Sequence, residues 1–140
     1  MTGDRYDLQR FLVAQNGIYA RAISELRQGR KQTHWMWFVF PQIEGLGQSA
    51  MARKYAIWSI DEAREYLRHP ILGERLKECT GLVTDLEDRP IEDIFGYPDY
   101  LKFQSSMTLF AKAAADDGPY RKALAKYFGS TMDRQTLERL

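Results

Sequence analysis

Four of the five prolines in this chain, Pro70, Pro90, Pro98 and Pro119, stand where a new apolar stripe of helical spacing opens. Proline is tolerated at the start of a helix, where its missing N–H would have no partner anyway, and it breaks a helix interior. Gly96 and Gly129 fall where the preceding stripes end, the usual place for a helix stop. Strictly alternating apolar segments are nearly absent. This punctuation predicts an all-α chain, one domain over residues 1–140, with about six or seven helices and an irregular aromatic and glycine-containing segment.

The helical stripes can be followed residue by residue. Leu8, Phe11, Leu12, Gln15, Tyr19, Ala22, Ile23 and Leu26 recur every three or four positions. Asn16-Gly17 could split that helix, and Gly29 stands just past its end. A short helix is expected over residues 50–56. Ser59-Ile60-Asp61-Glu62 reads as a capping box opening a helix that runs to about His69, with Ile60, Ala63, Tyr66 and Leu67 inward. After Pro98, the residues Phe103, Ser106, Met107, Phe110 and Ala113 share a face; after Pro119, Ala123, Leu124, Tyr127 and Phe128 do. Asp133 is placed to cap a last short helix ending with Leu137 and Leu140.

Composition excludes several classes of function. A chain of 140 residues can bury roughly 70% of the surface it exposes when unfolded, enough for one core. Its single cysteine, Cys79, rules out an internal disulfide and any multi-thiolate zinc site, and no H-E-x-x-H or carboxylate-rich loop offers another metal site. The longest apolar run, Trp35 to Phe40, is far short of the ~20 residues of a membrane helix. Asp4, Arg5, Asp7 and Arg10 interrupt the apolar residues near the start, so no secretory signal is read and a cytoplasmic place is expected. The formal net charge is +1, which excludes a bulk polycation for nucleic acid. That sum conceals a strip of alternating charge: residues 1–58 carry eight basic and four acidic groups, residues 59–93 five and ten, and residues 94–140 seven and five.

Three segments could carry chemistry. Gly45-Leu46-Gly47-Gln48-Ser49-Ala50 matches a G-x-G-x-x-A dinucleotide fingerprint. That mechanism needs a second strand with an acidic residue about twenty positions on. The residue there is Glu65, inside the capped helix, so a Rossmann domain is excluded. Two readings remain, a backbone-amide concavity for an anion and a plain turn with Ser49 as N-cap.

The second segment is His34-Trp35-Met36-Trp37-Phe38-Val39-Phe40-Pro41. As a strand it would point His34, Met36, Phe38 and Phe40 one way, and Trp35, Trp37 and Val39 the other. As a helix it would cluster His34, Trp37 and Phe38. Either way most of the block belongs in the core, and one tryptophan falls near the rim beside Arg30, Lys31 and Gln42. An aromatic plane next to cations and amides can stack a flat ring and hold an attached phosphate. His34 could serve as acid or base. His69 reads as a capping or hinge residue and Cys79 as a small buried one.

The third segment holds Asp99, Lys102, Ser105 and Ser106. Asp99 and Lys102 can pair, while Lys102 and the two serines lie one turn apart and could face an anion or form a lysine-activated serine. Small residues that let helices approach closely are the preferred explanation of the two serines. Gln15, a polar side chain on an apolar stripe, must bridge structural partners or touch a ligand.

The strings Glu25-Leu26 through Gly29-Arg30-Lys31, His34 through Gln42, Gly45-Leu46-Gly47-x-Ser49, Tyr66-Leu67-x-His69-Pro70-x-Leu72-Gly73-x-Arg75-Leu76, Ile94-Phe95-Gly96-x-Pro98-Asp99 and Ser105 through Phe110 together resemble a family of small, mostly bacterial proteins. That family is known as domain of unknown function 1810, and the resemblance spans almost the whole chain. It implies an all-α single domain and carries over no activity or catalytic residue. Some relatives bear the label calpastatin, but a disordered repeat inhibitor does not fit a chain without repeats.

The favoured functional reading is a binding domain for a small anionic, nucleotide-like ligand. Its expected pocket draws on Gln15 and Tyr19 of the first helix, and on Lys31, His34, Trp35, Trp37 and Gln42 around the aromatic block. Gly45, Gly47 and Ser49 of the loop complete it with Lys102, Ser105 and Ser106. The second reading is a hydrolase or transferase acting on a ribosyl or phosphoryl group in the same pocket, with His34 or Lys102 carrying the proton. The third is a protein-interaction module docking through its charged segments. No cofactor, metal or membrane partner is expected.

Overall fold

The stripe from Leu8 to Leu26 folds as two helices, α1 (Gln9–Gln15) and α2 (Tyr19–Arg27), parted at Asn16-Gly17. The computed structural model describes residues 4–140. After α2 come α3 (Met36–Val39), α4 (Ala50–Lys54), α5 (Ile60–Arg68), α6 (Leu72–Asp85), α7 (Ile91–Phe95), α8 (Asp99–Ala113), α9 (Gly118–Phe128) and α10 (Arg134–Glu138). The described residues are all-helical, with ten helices where the stripes predicted six or seven. The excess comes from the break after α1 and from one-turn elements such as α3, whose four residues are too few to show a helical period.

Helix ends follow the local chemistry. Ser49, Ser59 and Asp133 each accept a backbone N–H three residues on, capping α4, α5 and α10. The capping box at Ser59 is only half formed: Glu62 Oε1 accepts from Trp58 N, not from Ser59. Its other oxygen is held by Arg10 at 2.8 Å, a bond that no spacing rule reveals. His69 closes α5, and its Nδ1 accepts the Ile71 and Leu72 amides at 3.1 and 3.2 Å, which starts α6. The turn between α5 and α6 is so tight that a Cβ on Gly73 would sit 2.1 Å from the Leu67 carbonyl oxygen.

Helix α8 is the axis of the core. Phe103, Met107 and Phe110 are buried with Ser105, Ser106, Thr108, Leu109, Ala111 and Ala113, so α8 is covered on most sides. It packs against α5, α7, α9 and α10, and its small residues permit that crowding. Phe103 stacks on Phe95 at 4.9 Å and meets Phe40 edge-on at 5.1 Å. Aromatic pairs of this kind add about 0.5–1.5 kcal/mol each beyond the area they bury. No helix among the described residues is long and apolar enough to cross a membrane.

The segment from Gln42 to Ile57 is the least regular. It is pinned at its root by one parallel bridge, with Ile57 N donating to Gln42 O and Glu44 N to Ile57 O, both at 2.8 Å. The glycine loop and α4 hang from that bridge and face the N-terminal half of α8.

Candidate functional site

The aromatic block resolves into a single helical turn, and this divides its two tryptophans. Trp35 is fully buried and its indole N–H donates to Glu25 at 3.0 Å. Trp37, two residues on, is half-buried and reaches a surface cleft of about 620 Å³. Helix α8 lines it through Leu101, Lys102 and Ser105; the Gly45–Ser49 loop forms another side, and Asp133 and Gln135 at the start of α10 complete it. Lys102 Nζ stands 5.0 Å from the Trp37 ring centre, within cation–π range. The amides of Gln42, Gln48 and Gln135 line the same space.

Gly45 explains why the loop can take this path. Its φ is +88°, and a Cβ there would fall 2.2 Å from the Arg139 guanidinium, which lies over the loop and pairs with Glu44 at 3.3 Å. Ser49 acts as the N-cap of a five-residue helix, Oγ to Ala52 N at 3.1 Å. The turn reading of this motif therefore accounts for its backbone, and the loop contributes a wall of the cleft.

Of the expected pocket residues, the structure brings Trp37, Gln42, Gly45, Gly47, Ser49, Lys102 and Ser105 to one cleft. The other six stand elsewhere. Gln15 is buried beneath α3, donating to Phe38 O at 2.7 Å and accepting from Arg75 at 3.1 Å, a bridge between α1, α3 and α6. The Tyr19 hydroxyl bonds Glu78, and burial together with that carboxylate raises its pKa. Trp35 is core. Lys31 lies behind the cleft wall, paired with Asp99 at 2.8 Å. His34 is exposed and lies outside the cleft wall. Ser106 Oγ is sealed in the core without a hydrogen-bond partner.

The chemistry of the cleft follows from these bonds. Lys102 Nζ is engaged by Asp99 at 3.4 Å and by Trp37. The Ser105 hydroxyl lies 3.1 Å from both Leu101 O and Asp133 Oδ2, so its bonds run to an acceptor on its own helix and to a carboxylate. That same Asp133 oxygen also holds Thr136. Burial pushes the Cys79 thiol up to about 12, where it is a poor nucleophile. Among the described residues no three His, Cys, Asp or Glu side chains converge to hold a metal ion.

Sequence reasoning missed two features. Asp133 belongs to the cleft as well as to a cap, and the cap was its only local signal. Glu25 is the second: it is 6% exposed and accepts from Gln32 N, Thr33 N, the Thr33 hydroxyl and the Trp35 indole. Burial alone would push this carboxyl up, but those four donors outweigh it and hold it down at about 2.

Fold and site define a helical domain with an aromatic and cationic cleft beside its core. The chain belongs to the family described as protein of unknown function DUF1810, whose model matches residues 5–140. It is similar to the crystal structure of the conserved hypothetical protein Rv1873 from Mycobacterium tuberculosis: 53% identity, 98% of each chain covered, and a TM-score of 0.97. No curated protein matches the chain.

Proposed function

We propose that the cleft between α8 and the glycine loop binds a small nucleotide-like ligand, with its flat ring against Trp37 and its anionic group at Lys102. The observation that carries this reading is the half-buried Trp37 with a lysine 5.0 Å from its ring, at a cleft whose other lining mixes apolar side chains such as Ile43, Leu46 and Leu101 with the amides of Gln42, Gln48 and Gln135. A half-exposed indole can stack a heterocycle, a lysine can neutralise a phosphate, and side-chain amides can pair with ring edges. A cleft of about 620 Å³ falls within the range of small-molecule sites.

Thermal unfolding with millimolar adenosine 5′-monophosphate tests the reading. A ligand at ten times its Kd stabilises the native state by about 1.4 kcal/mol. In a domain of this size that raises Tm by roughly 3–5 °C. Trp37→Ala and Lys102→Met should each abolish the rise while the unliganded variants still unfold in one cooperative transition. No rise at saturating nucleotide, or a rise untouched by either substitution, overturns the reading.

A further inference from the structure

The wall behind Lys102 holds a three-charge array. Asp99, at the start of α8, sends one carboxylate oxygen to Lys31 at 2.8 Å and the other to Lys102 at 3.4 Å. The side chains are not equally accessible: Lys31 is 8% exposed, Asp99 20% and Lys102 28%. Each lysine also faces an aromatic ring, Lys31 at 5.3 Å from Trp35 and Lys102 at 5.0 Å from Trp37. One carboxylate cannot neutralise two ammonium groups, so the array carries one surplus positive charge. The shorter and more buried bond belongs to Lys31, which leaves the surplus on the cleft side, at Lys102. Lys31 reaches this place because its backbone N–H is fixed to Ile94 O at 2.7 Å, just ahead of α8.

The rest of the cleft holds little charge to add. Its charged lining residues are Lys102 and Asp133; of the cations beside it, Arg139 pairs with Glu44 and Arg53 donates to the Gln48 side-chain amide. We infer that the Lys31–Asp99–Lys102 array sets the cleft for ligands with a single phosphate group, and that Lys31 is a positioning residue which keeps Lys102 available by occupying Asp99. This rests on the nucleotide reading above and names its ligand class: nucleoside monophosphates in preference to di- and triphosphates. A second and third phosphate would bring negative charge towards Asp99 and Asp133, and among the described residues the lining offers no cation beyond Lys102 to meet it.

The test is calorimetric titration of the full chain with adenosine mono-, di- and triphosphate, without divalent cations. Wild type should bind the monophosphate at least about threefold more tightly than the triphosphate. In Lys31→Met, Asp99 can neutralise Lys102 completely, so monophosphate affinity should fall by roughly fivefold although residue 31 lies outside the cleft lining. Asp99→Asn frees both lysines and should change binding in the opposite sense: tighter monophosphate, and a smaller or reversed preference over triphosphate. A merely structural role for Lys31 would not produce opposite signs in two variants of one ion-paired array, and circular dichroism checks that both fold. Triphosphate binding as tightly as monophosphate in wild type overturns the inference and leaves the nucleotide reading standing. So does Asp99→Asn weakening the monophosphate. If none of the three nucleotides binds wild type, the reading and the inference fall together.

Discussion

Trp35 and Trp37 stand two residues apart, each with a lysine over its ring, and both lysines hold the same carboxylate, Asp99. Trp35 is sealed: its indole N–H meets Glu25 and its ring packs with Phe40 and Phe95. Trp37 opens on the cleft. One residue type with one kind of partner is thus used once to hold the fold and once to present a surface. The difference lies in how many neighbours the fold supplies: a ring surrounded by packed atoms stabilises the native state, and a ring left partly uncovered presents surface.

The comparison breaks most readily at the tryptophans. Trp35→Ala should lower unfolding free energy by about 3–5 kcal/mol, because it empties a filled core site and leaves Glu25 short of a donor. Trp37→Ala should cost less, about 1–3 kcal/mol, because its ring is only partly buried against the core. Urea unfolding of the two variants measures both, and equal losses would erase the distinction.

Acid titration sharpens the same contrast at Glu25. The carboxyl sits at about 2 in the folded chain against an ordinary 4.5, so between those values the unfolded chain binds the extra proton. Stability from this group is complete above the ordinary value and is lost as pH falls towards 2, an effect of about 3 kcal/mol. Glu25→Gln should be less stable at neutral pH and should flatten the fall in stability across that window.

Adjacent serines of α8 repeat the contrast on a smaller scale. Ser106→Ala removes a buried hydroxyl that has no partner, so it should leave stability unchanged or raise it by about 1 kcal/mol. Ser105→Ala loses bonds at Leu101 O and Asp133 and should cost about 1 kcal/mol. Gly45→Ala should cost at least about 1 kcal/mol, from the positive φ, with the Arg139 side chain swinging aside. Thermal unfolding of the three variants should give no loss at Ser106 and losses at Ser105 and Gly45.

Much of the fold was legible because helix boundaries depend on chemistry within four residues. Ser49, Ser59 and Asp133 cap where their spacing predicted, and Gly96 and Gly129 close their helices. The cleft was legible only in part. Trp37, Gln42, Gly45, Gly47, Ser49, Lys102 and Ser105 converge on it, whereas Gln15, Tyr19, Trp35 and Ser106 are fastened or buried elsewhere. An apolar stripe says that a side chain faces inward; it does not say which neighbour waits there. His34, marked by its chemistry alone, is exposed and outside the cleft wall.

The sequence by itself determined that this chain is helical, and where most of its helices start and stop. A missing proline N–H, a glycine free to turn and a serine oxygen near an orphan amide act locally and need no partner from afar. Only the tertiary structure decided which tryptophan is sealed, which serine is bonded, and that the two net-positive stretches of the chain meet at one carboxylate. Those outcomes depend on Asp99 lying between Lys31 and Lys102, and on Asp133 reaching Ser105. Contacts between residues far apart in the chain are set by how the helices pack against one another, which no local pattern encodes.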